Sequence, residues 1–118
     1  NNSTLGMVKL EMLVNGLPDF QTDVPDTNYA EIARAIGFHA ERVEDASRLE
    51  DAYREAFAAP GPALVEVITD PNALSLPPAI TGGQVVGFAT AMSKIVLNRG
   101  IAEAFSMATS NMRNIPHL

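Results

Sequence analysis

Residues 38–69 read FHAERVEDASRLEDAYREAFAAPGPALVEVIT. In its first six residues, Phe38, Ala40 and Arg42 share one face and His39, Glu41 and Val43 the other. The buried face stays open, but the length suits a strand. Ser47 and Glu50 stand at capping-box spacing, and Leu49, Ala52, Tyr53, Ala56 and Phe57 form the stripe of an amphipathic helix that stops before Pro60. After Pro60-Gly61-Pro62, the run Ala63–Thr69 is rich in β-branched residues and interrupted only by Glu66, which predicts a strand covered on both faces. Strand, helix and strand within about thirty residues make a βαβ unit. Its strands are expected to be parallel, with a right-handed crossover.

Outward from this unit, helical patterns predominate. Upstream, Asn28 and Glu31 repeat the capping-box spacing, and Tyr29, Ile32, Ala33 and Ile36 recur at helical intervals before Gly37. Leu5 to about Val14 is apolar on nearly every side and runs into Asn15-Gly16, which predicts a largely buried helix. The stretch between these helices, with Pro18, Pro25, Asp19, Asp23 and Asp26, has no period and reads as an irregular connection. Downstream, residues 70–83 (DPNALSLPPAITGG) form a proline-containing strap. A helix from Gln84 to about Asn98 follows, with Val85, Phe88, Ala89, Met92, Ile95 and Val96 as its stripe and Arg99-Gly100 as its close. The last segment, IAEAFSMATSNMR, places Ile101, Ala104, Phe105, Ala108 and Met112 on one face, expected to pack on protein. Two parallel strands cannot cover so many apolar helical faces, so a further strand before Asn1 is expected to complete the sheet. The fold class is α/β: part of a parallel-sheet domain over residues 1–80, with a C-terminal helical extension over 81–118.

Composition narrows the function. The 118 residues are 47% hydrophobic, enough for one modest domain. Eight Lys and Arg stand against 14 Asp and Glu, for a formal net charge of -6, which argues against nucleic acid as a partner. Without cysteine there is neither a disulfide framework nor a thiolate metal site, and a cytoplasmic location is favoured. No apolar run approaches the roughly 18 residues of a spanning helix.

The first eight residues, Asn1-Asn2-Ser3-Thr4-Leu5-Gly6-Met7-Val8, followed by Lys-Leu-Glu-Met, carry a resemblance. They resemble the second half of the thiamine-diphosphate motif, in which Gly-Asp-Gly precedes Asn-Asn by some 25 to 30 residues. The later runs PDTNYAEIARAIG, RVEDASRLEDAYREAFAAPGPALVEVITDP, LSLPPAI and GFATAMSKIVLNRG are similar to the C-terminal end of pyruvate oxidases, specifically the quinone-reducing pyruvate dehydrogenase group. The resemblance covers essentially the whole chain and about the last fifth of such an enzyme.

It implies thiamine diphosphate held with Mg²⁺, a hard cation that takes oxygen ligands. Asn2 would give its side-chain oxygen to the metal and Thr4 its backbone carbonyl. Leu5 and Gly6 would bring backbone close to the diphosphate, where helix N-terminal N–H groups favour anions. The Asp of the Gly-Asp-Gly half, a further metal ligand, is not in these residues. Met7 and Val8 would line the substrate pocket, with Glu11 as a candidate for proton handling or substrate positioning, against the plainer reading of a Glu paired with a neighbouring Lys or Arg. Pyruvate decarboxylases carry a catalytic Glu where Val8 stands, which speaks against acetaldehyde release. The implied reaction is oxidative decarboxylation of pyruvate, a 2-oxo acid, to acetate and CO₂, with electrons passing through FAD, bound outside this segment, to quinone or oxygen. The implied partners are the rest of the parent chain and a homotetramer. In quinone-reducing enzymes a C-terminal amphipathic helix makes peripheral membrane contact; here that segment has few basic residues for anionic lipid. The segment alone is expected to be inactive.

Two other readings stand beside this one. Acetohydroxyacid synthases share Asn-Asn-x-x-Leu-Gly-Met-Val, but usually carry an aromatic before the Glu, where this chain has Leu10. A non-catalytic acidic binding module is the other. Asp19, Asp23 and Asp26 lack the spacing of a calcium loop and are expected to form turns and caps. His39 and His117 lack a partner at motif spacing, so surface or partly buried positions are expected for them.

Overall fold

The computed structural model describes residues 1–74 and 79–112. It is α/β and divides into two compact units, residues 1–3 with 25–69 and residues 4–24 with 70–118.

The first unit contains the βαβ element. Strands β1 (His39–Val43) and β2 (Ala63–Val67) pair in parallel, with Ala40 opposite Leu64 and Arg42 opposite Glu66. Helix α2 (Tyr29–Ala35) starts at Asn28, whose Oδ1 accepts the Glu31 N–H at 2.9 Å, and it ends before Gly37, where φ is +90°. A residue with a Cβ is strained there, which is why glycine suits the stop. Ala30, Ala33 and Ala40 form the core, with Phe38 and Leu64 packed against them. Three alanines let α2 approach the sheet closely, so a small hydrophobic set suffices.

Three expectations for this unit need correction. Ser47 does not cap the following helix: Asp45 accepts the Ser47 N–H at 2.9 Å and opens a 3-10 turn over Ala46–Arg48, and α3 (Leu49–Ala58) continues from it. Asp45, two residues earlier, takes the capping place instead. In the stripe of α3 only Ala52 is fully buried, whereas Tyr53 and Phe57 are exposed. In β2 the apolar residues are partly covered or exposed, and the residue that is buried is Glu66. Its carboxylate reaches under the start of α2, where backbone N–H groups lack helical partners.

The second unit is helical. Helix α1 (Gly6–Val14) packs on α4 (Gly82–Arg99), and α4 on α5 (Ile101–Asn111). Leu10, Leu13, Leu74, Ala91, Ile95, Ala104 and Met107 are buried together, with Val14, Phe88 and Met92 against them. Helix α4 starts two residues earlier than its apolar pattern, because Thr81 and Gln84 form a reciprocal capping box. It breaks at Gly100, at a φ of +97°.

Helix α1 is less buried than its apolar content predicts. It buries Leu10, Leu13 and Lys9 and exposes Met7 and Val8. In α4 the inward face is Phe88, Ala91, Met92 and Ile95, while Val85, Ala89 and Val96 lie exposed. The expected face of α5 is also turned: Ile101, Phe105 and Met112 are exposed, and Ala104, Met107 and Asn111 face inward. The cause is polar. The Asn111 amide accepts the Leu74 N–H at 2.8 Å and donates to the Asn72 and Met107 carbonyls at 2.7 Å, so it must lie inside. Beside it, the Ser110 hydroxyl donates to Asp70 at 2.6 Å, tying the start of the strap to α5. The strap's Ser75–Pro78, and His117, lie outside the described residues.

Candidate functional site

The sequence singles out residues 1–11, and the two units share them. Asn1 to Ser3 belong to the first unit. Asn1 lies alongside the end of β2: its amino group donates to the Val67 carbonyl at 2.7 Å, and its own carbonyl accepts the Thr69 N–H at 2.9 Å. Its side chain is as fully engaged. Nδ2 donates to Glu66 Oε1 at 2.7 Å and to the Thr27 carbonyl at 3.1 Å, and Oδ1 accepts the Ser3 N–H at 3.0 Å. That last bond is the side-chain-to-backbone turn characteristic of Asn, and it bends the chain so that Ser3 takes a φ of +49°. Asn2, between them, is half-buried.

Beneath Asn1 lies a carboxylate that sequence patterning flagged only as an interruption. The Glu66 side chain is 2% exposed. Oε2 accepts the Ala30 N–H at 3.0 Å, and Oε1 takes Asn1 Nδ2 together with Arg42 Nη1 at 3.3 Å. Burial pushes this carboxyl upward, but the N–H groups of Ala30 and Tyr29, the Asn1 amide and the Arg42 charge outweigh it and hold it below its ordinary value. Arg42 also forms a two-pronged pair with Asp26, both bonds 2.9 Å, and reaches Glu44 at 3.0 Å. Hydrogen bonds to Asp26 and Glu44 raise its pKa further. Asp26 is therefore an ion-pair partner rather than the expected turn residue.

Thr4–Val24 belongs to the second unit. Thr4 is buried, pairs with Asp23 in an isolated antiparallel bridge, and donates from Oγ1 to the Thr22 carbonyl at 3.1 Å. The Leu5 N–H goes to the same carbonyl at 2.7 Å. Helix α1 then begins at Gly6 with no side-chain cap from Leu5 and no acidic residue in its first turn. Its leading N–H groups carry the partial positive charge of a helix start, and no side chain of the first turn offsets it. The Thr22 hydroxyl, behind Thr4 and Leu5, is buried with no hydrogen-bond partner among the described residues. These features fit an anionic group with oxygen-ligated metal: an open helix start and an orphaned hydroxyl.

Met7, Val8 and Glu11 are all exposed on α1, spaced to share one face. Glu11 has no salt-bridge partner among the described residues, so the pairing expected of an ordinary surface Glu is not seen. The nearby cation of the helix, Lys9, turns inward instead and reaches Asn72 at 3.1 Å and Asp19 at 3.9 Å. Asp19, expected in a turn, is buried and receives Arg99 at 3.0 Å on its side chain and 2.7 Å on its carbonyl. No group of three or more His, Cys, Asp or Glu able to hold a metal occurs among the described residues. His39 is exposed.

Residues 1–67, from the Asn1 turn to the end of β2, match the family described as thiamine pyrophosphate enzyme, C-terminal TPP binding domain. The chain belongs to this family. Among curated relatives, the "Putative thiamine pyrophosphate-containing protein YdaP" of Bacillus subtilis is 36% identical over 94 residues, 80% of this chain and 16% of the relative. The acetolactate synthase large subunit IlvG of Mycobacterium tuberculosis is 46% identical over 48 residues, 41% of this chain and 9% of the relative. The thiamine pyrophosphate enzyme chain thus spans about a sixth or less of the relatives it matches. No helix among its described residues is long and apolar enough to cross a membrane.

Proposed function

We propose that this thiamine pyrophosphate-binding segment serves a 2-oxo acid decarboxylating oxidoreductase of the pyruvate oxidase type. The overall reaction is pyruvate plus water to acetate, CO₂, two protons and two electrons, the electrons leaving through FAD to quinone or oxygen. When bound, thiamine diphosphate supplies the carbanion-stabilising chemistry of the decarboxylation. The chain's residues bind and orient. Asn2 Oδ1 and the Thr4 carbonyl are the oxygen ligands offered to Mg²⁺, with the remaining ligands coming from the diphosphate, water and residues outside this segment. Leu5 and Gly6 bring the open helix start to the diphosphate. Met7 and Val8 form part of a pocket wall for the 2-oxo acid, and Glu11, one turn further along the same face, positions the substrate or moves a proton at its carboxylate. FAD, a tetrameric assembly and a peripheral membrane contact through α5 belong to the same reading; the exposed Ile101, Phe105 and Met112 support the last.

The observation that carries the proposal is the start of α1, uncapped and free of acidic residues, directly after an Asn-bearing turn in a member of this family. A second reading, acetolactate formation, is favoured by the 46% identity to IlvG. Against it stands Leu10 before Glu11. The complete polypeptide containing this chain, given pyruvate, thiamine diphosphate, Mg²⁺ and an artificial electron acceptor, is expected to give acetate with stoichiometric acceptor reduction. Acetolactate without acceptor reduction refutes the oxidase reading and establishes the second.

A further inference from the structure

We infer that Glu66 is a positioning residue for the metal loop, acting through Asn1, and that Asn1 is a bracket rather than a ligand. The inference rests on the proposed Mg²⁺-binding role of Asn2. Among the described residues, Asn1 bonds back into its own unit: to Val67, Thr69, Thr27, Glu66 and Ser3. Both Nδ2 hydrogens are donated, to Thr27 and Glu66, and Oδ1 already accepts the Ser3 N–H, so the amide is oriented by the chain itself. It does fix the backbone on both sides of Asn2: sheet-like before it, left-handed at Ser3 after it.

Glu66 decides which way the Asn1 amide faces. An Asn side chain can turn over and exchange its oxygen and nitrogen. Turned over, Oδ1 would meet the Glu66 carboxylate and Nδ2 the Ser3 N–H, repulsion in both places. A buried carboxylate at 2.7 Å therefore selects the one orientation that supports the Ser3 turn. Glu66 is itself held by the Ala30 N–H and by Arg42, which Asp26 and Glu44 orient in turn. The chain of contacts runs from the α2 start and the β1–β2 pair to the turn that carries Asn2. Outer partners of this kind commonly govern metal affinity without touching the metal, at about 10–100-fold per substitution.

The test titrates Mg²⁺ into the metal-free complete polypeptide at saturating thiamine diphosphate, with the heat of binding as readout and thermal unfolding of each apo-protein alongside. Asn1→Asp and Glu66→Gln are each expected to weaken Mg²⁺ binding by about 10–100-fold. In Asn1→Asp two carboxylates oppose each other; in Glu66→Gln, whichever way the new amide turns, an N–H group meets a donor. The double variant restores a donor–acceptor pair in the reverse sense, and its affinity is expected to recover beyond that of either single variant. Ala33→Val, a core change in the same unit that does not touch Asn1, is expected to lower stability and leave the affinity as it was. If Glu66→Gln fails to fold, Asn1→Asp and the double variant decide the matter. Single variants that bind Mg²⁺ like the wild type overturn the inference, as does a double variant no better than the weaker single, or an Ala33→Val protein that loses affinity equally. A wild-type protein that binds neither Mg²⁺ nor thiamine diphosphate overturns the function proposed above as well.

Discussion

Gly87 lies in the interior of α4, where replacing glycine by alanine ordinarily stabilises a helix by about 0.8–1 kcal/mol. Here the sign is expected to reverse. A Cβ built on Gly87 would run into the Val14 carbonyl oxygen, come within 2.7 Å of the Val14 carbonyl carbon, and lie 3.3 Å from the Gly16 nitrogen. All three are backbone atoms, so no side chain can swing aside. Relief requires the end of α1 and its Asn15-Gly16 turn to move off α4, which disturbs Leu13, fully buried in the adjoining core. Overpacking of this sort costs about 1–3 kcal/mol, and contact with rigid backbone places it at the upper end. After the helix-propensity gain, Gly87→Ala is expected to destabilise by about 1–2 kcal/mol. Gly83→Ala, in the first turn of the same helix, is the internal control: its nearest neighbour would be Thr81 Oγ1 at 4.0 Å, so it should stabilise by a few tenths of a kcal/mol. Urea unfolding followed by far-ultraviolet circular dichroism measures both midpoints. A Gly87→Ala midpoint equal to or above that of the parent would refute the close α1–α4 contact.

Removing Arg99 leaves the buried Asp19 with Lys9, at 3.9 Å, as its remaining cation among the described residues, so Arg99→Ala should cost about 3 kcal/mol, read from the same unfolding curves. Glu103→Ala, which removes only the exposed side of that network, should cost under about 0.5 kcal/mol. Thr22→Val deletes the orphaned hydroxyl and should raise the melting temperature of the cofactor-free chain, by about 1 kcal/mol of stability; a lower melting temperature would mean the hydroxyl has a partner. For Glu66 the folded-state pKa lies below the ordinary 4.5. The unfolded chain therefore takes up the proton first, and the stability contributed by the carboxylate, complete above 4.5, is lost as pH falls toward the depressed value. Melting temperatures from pH 7 down to 3 should show a smaller acid-induced fall in Glu66→Gln than in the parent.

What the sequence made legible was what depends on local period and on chain-terminating residues. The βαβ pair, the Asn28 cap and the stops at Gly37 and Gly100 follow from residues that act on their immediate neighbours. The apolar pattern misleads where a polar contact across a long sequence separation overrules it. The apolar pattern places Phe105 in a buried stripe, but Asn111 is needed inside to satisfy the Leu74 N–H, 37 residues away, and the helix turns accordingly. Asp19 read as a turn residue because nothing local reveals Arg99, 80 positions on. The residues of the candidate site were readable as a motif, in order along the chain; Glu66 was not, since its partners Ala30 and Asn1 lie 36 and 65 residues away.

Glu66 also shows what a short sheet gains from a buried charge. An apolar residue at this position would enlarge a small core centred on three alanines and would answer the general finding that buried ion pairs are often no better than hydrophobic replacements. It would leave the Ala30 N–H at the start of α2 without this acceptor, and the Asn1 amide free to take either orientation. The first loss is one of stability, about 1–3 kcal/mol for a buried unsatisfied donor. The second is one of geometry, at the residue next to Asn2. A carboxylate meets both needs because it accepts from several donors at once and donates to none, so it fixes the direction of every group around it. The same side chain that seats α2 on the sheet thereby sets the turn that carries Asn2, the residue proposed above to offer its oxygen to Mg²⁺.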